Sequence, residues 1–195
     1  RGGAQYMHID VMDGAFVPNM SIGPCVIAGL RPVTDAVFDV HLMITEPIRY
    51  VEDFAKAGAD LITIHLEACE DVDATIDKIR ECGCKVGISI KPKTPVSAME
   101  PYLEKVDMIL IMSVEPGFGG QKFIPESLEK IAQTKRMIDE KGLAVDIQVD
   151  GGIYTHNVEE VLKAGANIIV AGSAIFNGDT KQNTIEMMDI LKKYE

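Results

Sequence analysis

The chain lacks any uninterrupted apolar run of the roughly 18 to 20 residues that a transmembrane helix needs. Its first residues, Arg1-Gly2-Gly3, do not have the character of a signal peptide. Both absences argue against a membrane-spanning or exported protein. We therefore expect a cytoplasmic protein with no membrane partner.

Cysteine pairs with a recognisable metal or redox spacing are also missing. The four cysteines are Cys25, Cys69, Cys82 and Cys84, and the closest two form a Cys-x-Cys pair. Neither a zinc knuckle nor a thioredoxin-type redox site has that spacing. We expect all four to be reduced thiols in or near the core, because free cysteine usually behaves as a small apolar residue.

Positive charge is scarce, with 19 Lys and Arg against 30 Asp and Glu and a net charge of -11. A nucleic acid or an anionic membrane surface binds clustered basic side chains, so the net charge argues against both as partners. An anionic ligand would have to be held by local contacts. The 47% hydrophobic and 25% charged composition is that of a soluble globular fold, and the length predicts one domain over residues 1–195.

Short runs rich in Val and Ile alternate with segments that show helical periodicity or helix punctuation. This alternation predicts an α/β fold with a parallel sheet. The seven predicted strands are Gln5–Ile9, Ala36–Val40, Leu61–Ile64, Lys85–Ile90, Met108–Met112, Ala144–Val149 and Asn167–Ala171. The predicted helices include Ile48–Lys56, Val72–Cys82, Pro125–Glu140, Thr155–Lys163 and Thr180–Lys193.

A weak internal repeat suggests which α/β fold this is. Ala57–Asp60 and Ala164–Asn167 each precede a strand, with a glycine placed to end a helix, and Gly2–Gln5 resembles the same junction. We interpret the chain as a (β/α)8 TIM barrel that lacks its first strand and helix. The alternative, an open doubly wound sheet, usually carries a glycine-rich nucleotide motif after its first strand. That strand here ends in His, Asp and Met instead.

Four metal-binding side chains fall at the carboxyl ends of predicted strands, which is where TIM barrels hold their active sites. His8 and Asp10 are two residues apart and so point to one side of a strand, while His41 and Asp150 end two other strands. Two imidazoles and two carboxylates suit one divalent metal ion. We expect Zn2+ first, with Fe2+, Mn2+ or Co2+ as alternatives.

The other two histidines are left outside this set. His65 also ends a strand, but two His and two Asp already fill a tetrahedral site. His156 lies near a helix start and is expected to be a surface or capping residue. A single buried histidine is often an ordinary hydrogen-bonded core residue, so the metal hypothesis depends on the four residues together.

Glycine-rich segments follow the last three strands. They are Pro116–Gln121, Asp150–Ile153 and Ala171–Ala174. Glycine lets the backbone approach an anion closely, and TIM barrels often bind phosphate at these final loops. Lys122 is the basic residue nearest to them, so backbone N–H groups, with a helix N-terminus after the last loop, would hold a phosphate.

Three methionines lie at or just beyond strand ends beside the predicted metal site: Met12, Met43 and Met112. Methionine usually fills gaps in a core. As a group, however, these three side chains offer an apolar cap that would keep water away from a reactive intermediate.

Several runs, in order along nearly the whole chain, together resemble the ribulose-phosphate 3-epimerase family. The two most specific are His8-Ile9-Asp10-Val11-Met12-Asp13-Gly14 and Pro116-Gly117-Phe118-Gly119-Gly120-Gln121. The others are Phe16–Asn19, Asp39–Met43, Val149–Gly152 and Gly172–Ile175. A strand with a Ser-Ala-Asp-type motif, with which that family begins, is not found in this sequence.

The resemblance implies an isomerase of the pentose phosphate pathway that interconverts D-ribulose 5-phosphate and D-xylulose 5-phosphate. Asp10 and Asp150 would be the acid/base pair on either side of an enediolate, and both would join His8 and His41 as metal ligands. The resemblance also implies a homo-oligomer. Residues that would contact the sugar phosphate are His41, Gly117, Phe118, Gly119, Gly120, Gly151, Gly152, Gly172 and Ser173.

Two alternatives remain open from the sequence. A related 3-epimerase that acts on a hexulose 6-phosphate would keep the same metal and phosphate parts. A non-catalytic barrel that binds a phosphate ligand would lack turnover altogether.

Overall fold

The computed structural model describes residues 2–194, and it contains all seven predicted strands. They form one parallel sheet in which each strand pairs with the next along the chain. This confirms the parallel α/β fold. The strands are β1 (Tyr6–Met12), β2 (Val37–Met43), β3 (Leu61–His65), β4 (Lys85–Ile90), β5 (Met108–Met112), β6 (Asp146–Asp150) and β7 (Ile168–Val170).

The five predicted helical segments are present, with ends that shift by up to three residues. The helices are α1 (Pro24–Leu30), α2 (Val51–Lys56), α3 (Val72–Glu81), α4 (Ser127–Glu140), α5 (Val158–Ala164), α6 (Ser173–Phe176) and α7 (Thr180–Leu191). Four 3-10 segments, Arg31–Val33, Pro47–Arg49, Leu66–Ala68 and Val96–Lys105, complete the connections. The sequence did not predict α1 or the long 3-10 segment, which contains Pro101, and it predicted α6 only as a helix start after the last glycine-rich loop.

The sheet curls into a nearly closed barrel. In the described part of the chain β1 pairs with β2 alone and β7 with β6 alone, so these two are the outer strands. Residues of both nevertheless line one shared cavity, which places the two free edges opposite each other. Seven strands therefore enclose an interior, as expected for a TIM barrel seen without one βα unit.

Side chains alternate strictly between the two faces of each strand, which decides where chemistry can occur. In β3, Ile62 and Ile64 point outward into the main hydrophobic core, where they pack with residues of the helices. Thr63 and His65, of opposite parity, are fully buried outside that core cluster. This two-residue period gives an aliphatic outer layer. The barrel interior holds polar side chains together with a small apolar cluster of Leu110, Met112 and Val114.

The cysteine prediction is correct for three of the four residues. Cys84 is buried and Cys69 and Cys82 are partly buried, but Cys25 is exposed. Cys25 lies in the first turn of α1, whose only buried residue is Ile27, so its side chain falls on the outer face of that helix. Within residues 2–194, every helix is too short or too polar to cross a bilayer.

Candidate active site

The four predicted metal ligands meet at the carboxyl end of the barrel. Parallel pairing places Asp10 of β1 directly beside His41 of β2. His8 lies two residues before Asp10 and faces the same side of β1, and Asp150 is the last residue of β6. One donor atom from each of the four side chains lies within 4.8 Å of the others. The structure therefore assembles the predicted set.

His8 is oriented by a hydrogen bond on the side away from this cluster. Its Nδ1 donates to Oδ2 of Asp39 at 2.6 Å, and Gln148 donates to the same oxygen at 2.6 Å. Its Nε2 consequently faces Asp10 at 3.2 Å and Asp150 at 3.9 Å. This buried Nε2 has no hydrogen-bond partner, and it is directed toward the two carboxylates of the cluster.

In His41 the two ring nitrogens have exchanged places, so that Nδ1 rather than Nε2 faces the cluster. Its Nδ1 lies 3.0 Å from Oδ1 of Asp10, and its Nε2 lies 2.8 Å from Nε2 of His65. His41 and His65 are both fully buried. Each cluster histidine thus turns one ring nitrogen toward the carboxylates and the other toward a second side chain deeper in the barrel.

Burial and charge together set the proton affinities. Burial lowers the pKa of His8, but the charges and hydrogen bonds of Asp39 and Asp10 outweigh this and raise it well above its usual value. Burial raises the pKa of Asp10, but His41 and His8 reverse the effect and hold that pKa far below the ordinary range. Burial and the negative charge of Asp10 raise the pKa of Asp150 to about 6.

These donors fit a divalent cation. Two imidazole nitrogens and two carboxylates are borderline-to-hard ligands, the set found around Zn2+, Fe2+ and related ions. The buried Nε2 of His8 has no hydrogen-bond partner. Burial and the negative charge of Asp10 raise the pKa of Asp150, and a cation would neutralise that charge. Asp39 supplies the outer carboxylate that commonly orients a metal-binding histidine.

The loop after β1 is fixed by its own side chains. Ser21 donates to the backbone oxygen of Asp10 at 2.6 Å and accepts from the N–H of Met12 at 2.9 Å. Asp13 accepts two loop N–H groups through Oδ1, as an Asx-type turn does. Asn19 donates to the carbonyl of Gly117 at 2.8 Å, which ties this loop to the one after β5.

A cavity of about 590 Å³ opens above the cluster. Its described lining contains neither Lys nor Arg, so an anion at its glycine-rich wall would be bound by backbone N–H groups. The three predicted cap residues Met12, Met43 and Met112 also line it or border it. All predicted sugar-phosphate contacts other than His41 line it as well: Gly117, Phe118, Gly119, Gly120, Gly151, Gly152, Gly172 and Ser173.

The glycines after β6 let two loops meet. Gly152 has a φ of +67°, and a Cβ atom there would lie 2.5 Å from the backbone nitrogen of Phe123. Gly151 has a φ of +120°, and its Cβ would overlap the side chain of Val114. Helix α6, which begins at Ser173, is a single turn. A helix this short offers an anion its free N–H groups rather than a long helix dipole.

Sequence reasoning missed Asp39, Gln148 and Glu67 as polar residues that surround the ligands, and it named His65 only to leave it outside the ligand set. Asp39, Gln148 and His65 are fully buried, and Glu67 lies just beyond His65. Asp39 and Gln148 are each two residues before a predicted ligand, so the strand period was a signal that could have found them.

Burial and local contacts also shift the pKa values of His65 and Glu67 away from those of exposed groups. Burial is the largest influence on His65 and lowers its pKa to about 4. Burial raises the pKa of Glu67, but the nearby ring of His65 and hydrogen bonds from Thr94 and the backbone N–H of Lys91 lower it to about 2. His156, in contrast, is exposed, as the sequence predicted, and its ring stacks on Tyr154.

Comparison with known proteins identifies the family. The model of the "Ribulose-phosphate 3 epimerase family" matches residues 1–176. The chain belongs to the ribulose-phosphate 3-epimerase family. The ribulose-phosphate 3-epimerase of Synechocystis sp. is 55% identical over 90% of this chain and 77% of its own length. That of Bacillus subtilis is 50% identical over 95% of this chain and 86% of its own length.

A solved structure supports the fold independently. The 3-hexulose-6-phosphate synthase of Salmonella typhimurium superposes with a TM-score of 0.70, and the match covers 96% of this chain and 99% of that one. At 17% identity, this likeness concerns the fold alone. Membership of the epimerase family makes the chain an isomerase, which contradicts the alternative of a non-catalytic binding barrel.

Replacing Gly152 by alanine is expected to disturb this epimerase by forcing the loops after β5 and β6 apart. A non-glycine residue at this φ costs about 1 to 3 kcal/mol, and the overlap with Phe123 adds to it. Thermal unfolding of Gly152→Ala should therefore occur at a lower temperature than that of the unmodified chain. Gly119→Ala is the matched control, since a Cβ there meets nothing within 4 Å. Equal unfolding temperatures for the two variants would contradict this account of the loops.

Proposed function

We propose that this pentose-phosphate epimerase is metal-dependent and interconverts D-ribulose 5-phosphate and D-xylulose 5-phosphate with Asp10 and Asp150 as two opposed acid/base groups. The observation that carries the proposal is the convergence of His8, Asp10, His41 and Asp150 within 4.8 Å. This cluster lies beside a cavity whose other wall is rich in glycine.

The reaction requires a proton to leave C3, next to the C2 carbonyl, and a proton to return on the opposite face. One group on each face accomplishes this without turning the substrate over. Asp10 and Asp150 suit these roles because they belong to β1 and β6, which are not neighbours in the sheet. An isolated aspartate, with a pKa of about 3.9, is a weak base for a carbon acid.

A bound divalent ion would supply Lewis acidity that stabilises the negative charge of the enediolate. We assign Zn2+ first, since two imidazoles and two carboxylates match its usual donors, with Fe2+, Mn2+ and Co2+ as alternatives. His8 and His41 would hold the ion as neutral ligands. Asp10 and Asp150 would offset its charge and remain close to the substrate carbon.

The two carboxyl groups differ in proton affinity, which supports separate roles. The nearby rings of His41 and His8 hold the pKa of Asp10 low, whereas burial beside Asp10 raises that of Asp150. Environments that push the pKa values of paired groups apart are typical of acid/base pairs. In the metal-free protein Asp10 is therefore the more readily ionised of the two, so we assign it the first proton abstraction and assign Asp150 the return of a proton.

The remaining cavity residues would orient the sugar phosphate. Backbone N–H groups from Gly117 to Gly120, together with Gly151, Gly152, Gly172 and Ser173, would bind the phosphate, and His41 would lie near the reacting end. Met12, Met43 and Met112 would cover the reacting carbon with apolar surface and exclude water. Self-association and a cytoplasmic location stay predictions.

Asp10→Asn and Asp150→Asn should each lower kcat by about 10²- to 10⁴-fold, the usual contribution of acid/base catalysis. Each amide keeps the shape of the side chain but cannot accept the proton. Asp146→Asn is the matched control, since Asp146 begins the strand that Asp150 ends. Turnover in D₂O should also place deuterium at C3 of both pentuloses. Full activity in either site variant would remove the two-base scheme.

Metal affinity should rise with pH across about pH 5 to pH 8, because ligands bind metal in their deprotonated forms. The raised pKa values of His8 and Asp150 mean that the metal-free protein retains protons there, and binding must displace them. Calorimetric Zn2+ titrations in buffers of different ionisation enthalpy would measure this proton release. His8→Ala should lose the binding. Affinity independent of pH would contradict the proposed ligands.

D-ribulose 5-phosphate should be a better substrate than a hexulose 6-phosphate, since the family supports pentose-phosphate epimerisation. The measurement is kcat/KM for both sugar phosphates with the same protein preparation. A higher value for the hexulose 6-phosphate would favour the alternative 3-epimerase while leaving the metal and the acid/base pair intact.

A further inference from the structure

His65 is a buried histidine with no role in the proposed chemistry so far. It ends β3, the strand beside the one that carries His41, and its side chain is fully buried. The Nε2 atoms of the two rings are 2.8 Å apart. Their ring centroids are 5.0 Å apart with planes inclined by 24°, so the rings meet edge to edge and share one hydrogen between two nitrogens.

The direction of this hydrogen bond follows from the position of the other ring nitrogen of His41. Its Nδ1 faces Asp10 at 3.0 Å, within the ligand cluster, whereas its Nε2 points away from that cluster. A neutral imidazole that binds a metal through one nitrogen carries its hydrogen on the other. If Nδ1 is the ligand atom, Nε2 of His41 is the donor and Nε2 of His65 must be the acceptor.

Glu67, on the side of the His65 ring opposite His41, favours the same placement of hydrogens. With Nε2 accepting, the hydrogen of neutral His65 lies on Nδ1, which faces Oε2 of Glu67 at 3.6 Å. The other oxygen of that carboxylate accepts the backbone N–H of Lys91 at 2.7 Å and the hydroxyl of Thr94 at 2.5 Å. Glu67 is therefore held with one oxygen toward the ring, where a negative charge favours a hydrogen on Nδ1.

His8 offers a comparison within the same site. Its outer nitrogen donates directly to the carboxylate of Asp39, which is the usual outer contact of a metal-binding histidine. His41 has no such carboxylate on its outer side. It meets a second imidazole, and the carboxylate of Glu67 stands beyond that.

We propose that His65 is a positioning residue that accepts the Nε2–H of His41 and so keeps Nδ1 of His41 free to bind the divalent ion. This inference rests on the metal site proposed above. Phe16 closes the region around His65, with ring centroids 5.1 Å apart, and Lys91 lies over the Phe16 ring. The contact between the histidines is thus shielded from competing water, which strengthens a hydrogen bond.

The test is Zn2+ affinity, measured by competition with a chromophoric chelator. His65→Phe keeps an aromatic ring but removes the acceptor, and it should weaken binding about 10- to 100-fold. His65→Gln places an amide oxygen near the position of Nε2 and should recover most of that loss. His156→Phe is the matched control, because His156 is an exposed histidine outside the site, and its Zn2+ affinity should be unchanged.

Two further measurements keep the proposal testable if His65→Phe folds poorly. Glu67→Gln removes the charge facing His65 and should weaken Zn2+ binding by a smaller factor. Nitrogen-15 NMR of the Zn2+-loaded unmodified protein should show hydrogen on Nδ1 of His65 and on Nε2 of His41. A hydrogen on Nε2 of His65 overturns the proposal.

The outcomes also separate this inference from the proposed function. If the unmodified protein binds Zn2+, His8→Ala loses it and His65→Phe retains full affinity, the metal site stands and the positioning role is wrong. If the unmodified protein and His8→Ala bind Zn2+ equally weakly, both proposals fail. Loss in His65→Phe without recovery in His65→Gln overturns the hydrogen-bond explanation alone.

Discussion

The parallel register between β1 and β2 is the constraint on which the site depends. It places Asp10 beside His41 and His8 beside Asp39, so ligand and supporting side chains fall in successive inward layers. A slip of one residue would turn these polar groups outward against the helices and bring aliphatic side chains into the cavity. The outer aliphatic layer, packed in the main hydrophobic core, therefore fixes the geometry of the polar interior.

The same register concentrates charge where water is scarce. Asp10, Asp39 and Asp150 surround His8, and burial is the largest influence on the pKa of each of these four groups. Gln148 relieves part of the cost at Asp39 through a hydrogen bond, but His8 Nε2 remains without a partner. Buried charges and unpaired polar atoms cost stability. A divalent ion among these groups would offset both, so metal binding and folding are expected to reinforce one another.

Much of this could be predicted from sequence, because the informative signals are local. Runs of Val and Ile identify strands, glycines identify the loops after β5, β6 and β7, and the spacing of His8 and Asp10 places both on one face. Contacts that join distant strands carry no such signal. His65 and His41 are 24 residues apart, and Gln148 and Asp39 are 109 apart. Helix α1 was missed because its single buried residue, Ile27, leaves no periodic pattern.

The charge of the whole molecule and the charge of the cavity act in opposite directions on an anionic substrate. The net charge of -11 repels a sugar phosphate from afar, but a Debye length of about 8 Å at physiological ionic strength confines that repulsion to the surface. Inside the cavity, a metal ion at one end and backbone N–H groups at the other would both attract negative charge. Because these two features differ in chemistry, they would bind the sugar oxygens and the phosphate at opposite ends. This polarity would determine which carbon of a sugar phosphate lies between Asp10 and Asp150, and it would need no basic side chain.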